Sequence, residues 1–302
     1  MKKVLSMLMV CLLTGIILIG CGGKSSSETT NGITEGGASP TLTQPAAKAP
    51  NVTQSTAVNL DNVVLQDTEI YVFIAASLNN AMTEISEKYK ESQPKVKVTF
   101  NADSSGTLEA QIKEGAECDL FFSAAEKQMK ELKDEGLVDA ASIKNLLENK
   151  VVLIKPSGEE TAVTGFDDVF KAKNLALATE SVPAGDYGRQ IFKNIGIWDK
   201  IEDMEINEGS NVTAVLAAVS EGSNEVGVVY ETDANSVKAS VEIIAEAPEE
   251  YLDSPIVYPA GLVDNTEADS LQKEAAKNFM DYLSSEAANT IFEKYGFTVI
   301  GN

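Results

Sequence analysis

From Ile70 onward, short apolar runs alternate with segments whose apolar residues recur at helical spacing, and this alternation restricts the fold more than any other feature. Ile70-Tyr71-Val72-Phe73-Ile74 reads as a strand, followed by a helix with Leu78, Met82, Ile85 and Tyr89 on one face. Val96 to Phe100 reads as the next strand, and Leu108 and Ile112 mark the helix after it. Residues 119–123 predict a third strand, with a helix through Met129 and Leu132. The pattern resumes with the strand at 174–178, a helix carrying Ile191, Phe192 and Ile195, and a helix holding Val212, Val215, Leu216 and Val219. Residues 226–230 predict another strand, and helices between 268 and 295 finish the chain. Strands that are apolar throughout need cover on both faces, which points to an α/β protein with mainly parallel sheets. Residues 151–154 read as a crossover strand into a second unit, and residues 256–263 as the return. The expected lobes are therefore 67–150 plus 256–302, and 151–255.

The N-terminus is different material. Lys2 and Lys3 precede an apolar run from Val4 to Ile19, and Leu18-Ile19-Gly20-Cys21 ends it with a small residue before a cysteine. So short a run with a basic leader predicts a secretory signal over residues 1–20 rather than a spanning helix. The cysteine after the small residue matches the bacterial lipoprotein pattern, with Cys21 as the lipid attachment site; an ordinary signal or an uncleaved anchor is the alternative. Either way the protein is expected to work outside the cytoplasmic membrane, and the lipoprotein reading anchors it to the cell membrane through Cys21. Residues 21–66 are rich in Gly, Ser, Thr, Ala and Pro and contain no aromatic residue, so they predict a flexible tether.

Composition excludes several function classes. The chain has no histidine, which removes the commonest general base and metal ligand. Of three cysteines only Cys118 falls in the folded part, so no internal disulfide or CxxC site is available, and stability must come from a core. Net charge is −22, or −24 once Lys2 and Lys3 leave with the leader, which disfavours nucleic acid and anionic lipid as partners. An anionic ligand is not disfavoured equally, because local donors decide binding once distant charge is screened within roughly 8 Å.

The segments that suggest function are mostly places where a strand gives way to a helix. Ala75-Ala76-Ser77 delivers a hydroxyl to a helix start, and Asp103-Ser104-Ser105-Gly106-Thr107 crowds hydroxyls and a glycine at another. Each of these serines could simply cap its own helix. The functional reading is that hydroxyls and first-turn N–H groups face an anion. Ser181-Val182-Pro183-Ala184-Gly185 offers backbone N–H groups with little side chain in the way. Ser210-Asn211-Val212-Thr213 opens a helix, and Tyr230 ends a strand as a neutral donor. Convergence of such turns at the carboxyl ends of strands is how open α/β sheets hold ligands.

The segments YVFIAASLNNAM, FNADSSGTLEAQI, GAECDLFFSAAEKQM, ATESVPAGDYG, VTAVLAAVSEG, VGVVYETDA and IFEKYGF, taken in order, resemble the periplasmic molybdate-binding protein family across nearly all of residues 68–302. The resemblance implies a type II periplasmic-binding-protein fold, two lobes joined by crossover strands, with molybdate or tungstate between them and no other cofactor. It also implies a monomer that hands its ligand to an ABC transporter permease. Carried over position by position, it implies hydroxyl contacts from Ser77, Ser105 and Tyr230 and backbone N–H contacts from Ala184 and Val212. Two positions depart from the family pattern. Ile74 replaces a small residue, a matter of packing. Asp103 stands where an uncharged residue is expected; its carboxylate would repel the anion, so it should point to solvent, failing which the role of Ser105 is in doubt.

The donor chemistry agrees with the resemblance. Arg189 is the sole arginine and is expected to be a solvated helix residue, so no guanidinium clamp is available. Neutral donors can hold a deprotonated dianion, at roughly 1.5–3 kcal/mol per hydrogen bond to a charged group. Hydrogenphosphate would bring a proton for which a donor-only pocket has no acceptor, whereas sulfate, the closest alternative ligand, differs mainly in size. An enzyme with a serine nucleophile is the rival of another class. It lacks a histidine, a nucleophile elbow and any lysine three residues after Ser77, Ser104 or Ser105; the Ser-x-x-Lys spacing falls elsewhere, at Ser92/Lys95 and Ser270/Lys273. A surface lipoprotein that binds a protein partner through its acidic face is the other rival.

Overall fold

The computed structural model describes residues 64–300. The leader of residues 1–20, Cys21 and the tether up to residue 63 lie outside the described residues. Among the described residues no helix is long and apolar enough to cross a membrane.

The first stretch of chain runs β1 (Thr68–Ala75), α1 (Asn79–Ser92), β2 (Val96–Asp103), α2 (Ser105–Lys113), β3 (Leu120–Phe122), α3 (Glu126–Asp134) and β4 (Lys144–Asn149). After Lys150 the chain enters β5 (Val151–Pro156), then β6 (Asn174–Ala178), α4 (Pro183–Asn194), α5 (Trp198–Glu202) and β7 (Glu205–Gly209). It continues through α6 (Val212–Ser220), β8 (Val226–Tyr230), α7 (Glu231–Ser236) and β9 (Val241–Glu246). It closes with β10 (Ile256–Leu262), α8 (Ser270–Tyr282), α9 (Glu286–Lys294) and β11 (Thr298–Val299).

Two sheets result, in the orders β11-β4-β10-β3-β1-β2 and β7-β6-β8-β5-β9. Both are mixed, not mainly parallel as the apolar runs suggest. In the first, β1 pairs in parallel with β2 and β3, and β10, β4 and β11 continue the sheet antiparallel. In the second, β6 pairs in parallel with β7 and β8, and β5 and β9 run antiparallel. The cause is the traffic between sheets: β4 passes into β5 through Lys150 alone, and β10 returns to the first sheet after β9. Each sheet thus keeps a parallel triplet whose carboxyl ends are free to carry ligand-facing turns.

The apolar runs are continuous because both faces of the sheets are covered. Val72, Ile74, Leu120 and Phe122 join one core cluster with Met82, Ile85, Phe279 and Phe292. Phe73 and Phe121, which alternate with them, join Leu108, Ile112, Met129 and Leu132 on the opposite face. Cys118 is a buried free thiol in that second cluster.

Candidate oxyanion site

The carboxyl ends of the two parallel triplets supply one small cavity. It is lined by Ala75, Ala76 and Ser77 after β1, Asp103, Ser104 and Ser105 after β2, and Ala124 after β3, with Val182, Pro183, Ala184, Val212 and Tyr230 from the segments around the second sheet. All five positions singled out from sequence, Ser77, Ser105, Ala184, Val212 and Tyr230, are among them. The cavity volume is small, about 10 Å³. Pockets for drug-sized ligands run to roughly 300–1,000 Å³, so only a compact guest fits.

Three helices start at this cavity, and each leaves early N–H groups outside its own ladder. In α2 the Ser104 side chain caps the Thr107 N–H at 3.1 Å, and the first intrahelical bond, Leu108 N–H to Ser104 O, leaves the amides of Ser105 and Gly106 ahead of it. In α4 Val182 is the N-cap and makes no side-chain cap, Pro183 occupies the first turn, and the ladder begins with Asp186 N–H to Val182 O. The amides of Ala184 and Gly185 therefore precede it. In α6 the Asn211 side chain caps Ala214 N–H at 3.0 Å, leaving the Val212 amide at the start. N-termini that border one cavity favour a negative guest, each by about 0.3–2 kcal/mol.

The hydroxyls are prepared as donors. Ser105 Oγ, on a residue 1 % exposed, accepts the Ala124 N–H at 2.9 Å, so its own proton is free to donate. Ser77 does not cap its helix; its Oγ pairs with Tyr258 Oη at 3.0 Å. Tyr230 is buried, and its Oη finds no hydrogen-bond partner among the described residues. Burial first, and then the neighbouring Tyr258 phenol, pushes the Tyr230 phenol well above its ordinary range, so it stays a protonated donor. A buried O–H left without an acceptor costs about 1–3 kcal/mol, which marks a place where a ligand atom belongs.

Two sequence expectations fail here. Arg189 is not solvated; it is 8 % exposed, and its guanidinium donates to Ala178 O at 2.5 Å and Gly185 O at 2.9 Å while pairing with Glu208 at 2.6 Å. The reason is local: Gly185 packs so closely on the carbonyls of Ala178 and Thr179 that a Cβ would collide with both. The guanidinium reaches Ala178 O and Gly185 O across this small-residue junction and braces the turn that presents Ala184.

Nor does Asp103 point to open solvent. It lines the cavity, and its Oδ1 accepts the Ser104 N–H at 2.7 Å and Asn211 Nδ2 at 3.1 Å, a bridge from β2 to the cap of α6. Asn211 can make it because its Oδ1 is already committed to Ala214 and its amide nitrogen faces outward. The doubt this raises over Ser105 is met by position, since Ser105 itself borders the cavity and its oxygen is engaged by Ala124.

Sequence reasoning missed Asn149 and Tyr258, which stand behind Ser77. Gly106, already noted in its turn, proves to sit where an added Cβ would meet the backbone carbonyl of Ser181. The Tyr258-Pro259 pair inside an otherwise apolar strand was an available signal for a phenol with a polar task. Among the described residues, no group of three or more acidic, cysteine or histidine side chains is placed to hold a metal cation.

The chain matches the model of the bacterial extracellular solute-binding protein family over residues 70–298. It is 41 % identical over 225 residues to the "Putative ABC transporter substrate-binding lipoprotein YvgL" of Bacillus subtilis, covering 74 % of this chain and 84 % of that one. It is 34 % identical over 239 residues to the molybdate-binding protein ModA of Haemophilus influenzae, covering 76 % and 90 %. Among solved structures it is similar to the "substrate binding domain of putative molybdenum ABC transporter from Clostridium difficile", with a TM-score of 0.59, 36 % identity, and coverage of 77 % and 99 %.

Proposed function

The chain belongs to the bacterial extracellular solute-binding proteins, and from that premise we propose that it captures molybdate, and tungstate with it, and delivers the anion to an ABC importer. The observation that carries the reading is the Tyr230 hydroxyl, buried without a partner among the described residues beside a cavity lined by first-turn residues of three helices. In this reading Ser77, Ser105 and Tyr230 donate through hydroxyls, and Ala184 and Val212 through backbone N–H groups. The lobes are 67–150 plus 256–302, and 151–255; they close on the anion, and the closed face is read by the permease. Cys21 carries the lipid after removal of residues 1–20, residues 21–66 span the distance to the membrane, and the protein acts as a monomer. Relatives described as molybdate-binding, and one described as a transporter lipoprotein, support the ligand, the transport role and the anchor.

Competition calorimetry among molybdate, tungstate, sulfate and phosphate tests the ligand. Molybdate and tungstate should displace one another and resist sulfate, which has the same charge and shape but is smaller. A chain that prefers sulfate would overturn the reading. Replacing Ser105 by Ala should weaken molybdate binding by roughly 1.5–3 kcal/mol, the value of one hydrogen bond to a charged group. Unchanged affinity would remove Ser105 from the site.

One observation favours a second reading. Asp103 gives the cavity a carboxylate, and a carboxylate can accept the proton of hydrogenphosphate, which a donor-only pocket cannot. The substitution Asp103→Asn separates the two. For molybdate it removes a like charge and should tighten binding several-fold or more. For phosphate it removes the acceptor and should abolish binding. Asn keeps the oxygen that receives the Ser104 N–H, so the turn itself should survive.

A further inference from the structure

We propose that Tyr258 and Asn149 are positioning residues that aim the Ser77 hydroxyl proton into the cavity, an inference that rests on the oxyanion reading above. Asn149, at the end of β4, is 8 % exposed, and its Oδ1 accepts the Lys150 N–H at 2.8 Å. A backbone N–H can only donate, so this contact fixes which way the amide is turned. Its nitrogen faces the other side and donates to Thr232 Oγ1 at 2.9 Å and Tyr258 Oη at 3.1 Å, which uses both protons.

Tyr258 is fully buried and therefore receives one hydrogen bond and must give one. Within reach, beside the Asn149 nitrogen, stands Ser77 Oγ at 3.0 Å. With the phenol donating to that oxygen, the serine keeps its own O–H, and Ser77 borders the cavity. With the opposite polarity the phenol proton would have no acceptor in hydrogen-bond geometry, because the neighbouring Tyr230 hydroxyl makes no hydrogen bond among the described residues. The direction of the whole chain, from Asn149 to Tyr258 to Ser77 to guest, thus follows from one backbone amide. Neither Asn149 nor Tyr258 lines the cavity, so both act through Ser77. The second proton of Asn149 goes to Thr232, two residues past Tyr230, so one amide braces the segments that carry two of the donor hydroxyls.

The test is a double-mutant cycle on the full chain, with molybdate titrated calorimetrically and thermal melts of each ligand-free variant. Tyr258→Phe and Ser77→Ala should each weaken binding about tenfold, the scale of one hydrogen bond. The double variant should bind within about twofold of Ser77→Ala alone, because the phenol has nothing left to aim. A structural role would instead cost the same factor in both backgrounds, and that result, or an unchanged Tyr258→Phe, overturns the proposal. If Tyr258→Phe does not fold, Asn149→Asp serves. Its carboxylate would take the phenol proton and reverse the chain, so its loss should be about tenfold smaller once Ser77 is Ala; equal losses in both backgrounds overturn the proposal. A wild-type chain that takes up none of molybdate, tungstate, sulfate or phosphate would instead overturn the oxyanion reading, and this inference with it.

Discussion

Gly106→Ala should lower the affinity for molybdate at least about a hundredfold, the equivalent of losing two hydrogen bonds to a charged group, while leaving the ligand-free fold as stable as before. Gly106 is in the first turn of α2, beneath the first sheet's contribution to the cavity, and a Cβ there would run into the carbonyl oxygen of Ser181, with Ser181 C at 3.1 Å and Ser181 Cβ at 3.3 Å. The obstacle is backbone, not the end of a side chain that can swing aside. Ser181 belongs to the turn before α4, so the collision lies between the two sheets' halves and not within either. The halves can fold, but they cannot close on the cavity that Ser105 and Ala184 both line. Within its own helix, alanine is favoured over glycine by up to about 1 kcal/mol, so the ligand-free variant should melt no lower than wild type. Calorimetry and a thermal melt on the same sample check both halves of this expectation. Wild-type affinity in Gly106→Ala would mean that the approach of Gly106 to Ser181 is not needed for binding.

Asp233→Asn should produce the largest pH-dependent change in stability. Asp233 is buried at the first turn of α7, its Oδ2 has no partner among the described residues, and burial pushes its carboxyl up to about 7 from an ordinary 3.8, opposed only by the backbone N–H of Tyr230. Below about pH 4 the group is protonated in folded and unfolded chains alike and costs nothing. Between about pH 4 and 7 the unfolded chain loses the proton and the folded chain keeps it, so stability falls as pH rises. Above about 7 both forms are ionised and the loss levels off. At roughly 1.4 kcal/mol per pH unit the full penalty is on the order of 4 kcal/mol. Asn keeps an acceptor for Tyr230 N–H and cannot ionise. Its stability advantage over wild type should therefore be near zero at pH 4 and reach several kcal/mol at pH 8, read from urea unfolding at both pH values. Exposed pairs such as Glu84–Lys294, which lose strength as acid rises, are common to both proteins and cancel in the difference. An advantage that does not vary with pH would contradict the assignment. Below about pH 7 the same proton keeps a negative charge away from the buried phenols of Tyr230 and Tyr258.

The fold was legible where burial is two-sided. β6 and β8 were read residue for residue, and β1 over its apolar part from Ile70 to Ile74, because sheet faces covered by helices leave few polar positions to confuse the pattern; the polar start of β1 at Thr68 and Glu69 was left out. β7 and β9 were not legible. Both lie at sheet edges, and β7 reads Glu-Ile-Asn-Glu-Gly, with one apolar residue among five, so its strand state comes from pairing with β6 and not from its own composition. β4 was missed for a related reason, since Lys144 and Asn145 open it and Glu148 and Asn149 close it around only two leucines. The antiparallel pairings followed from the passage between sheets, which no local pattern records.

In the site, the turns were legible because glycine, serine and proline cluster where strands give way to helices. What the turns meet across the cavity was not. Arg189 reads as a solvated cation on a helix, and its burial depends on the carbonyls of Ala178 and Gly185 coming within reach. Asp103 reads as an exposed carboxylate until Asn211, 108 residues away, is placed beside it. Tyr258 reads as core because its hydroxyl partners, Ser77 and Asn149, lie 181 and 109 residues away in the chain. These side chains owe their state to contacts between distant segments, which periodicity and composition cannot register.

The most direct measurement is a crystal of the mature chain grown with molybdate, with diffraction recorded at the molybdenum absorption edge. A single anomalous peak should lie among Ser77, Ser105, Ala184, Val212 and Tyr230, with oxygens in hydrogen-bond contact with uncharged donors and none on a cationic side chain. A cavity without the peak, or a metal centre held elsewhere on the molecule, would contradict the account.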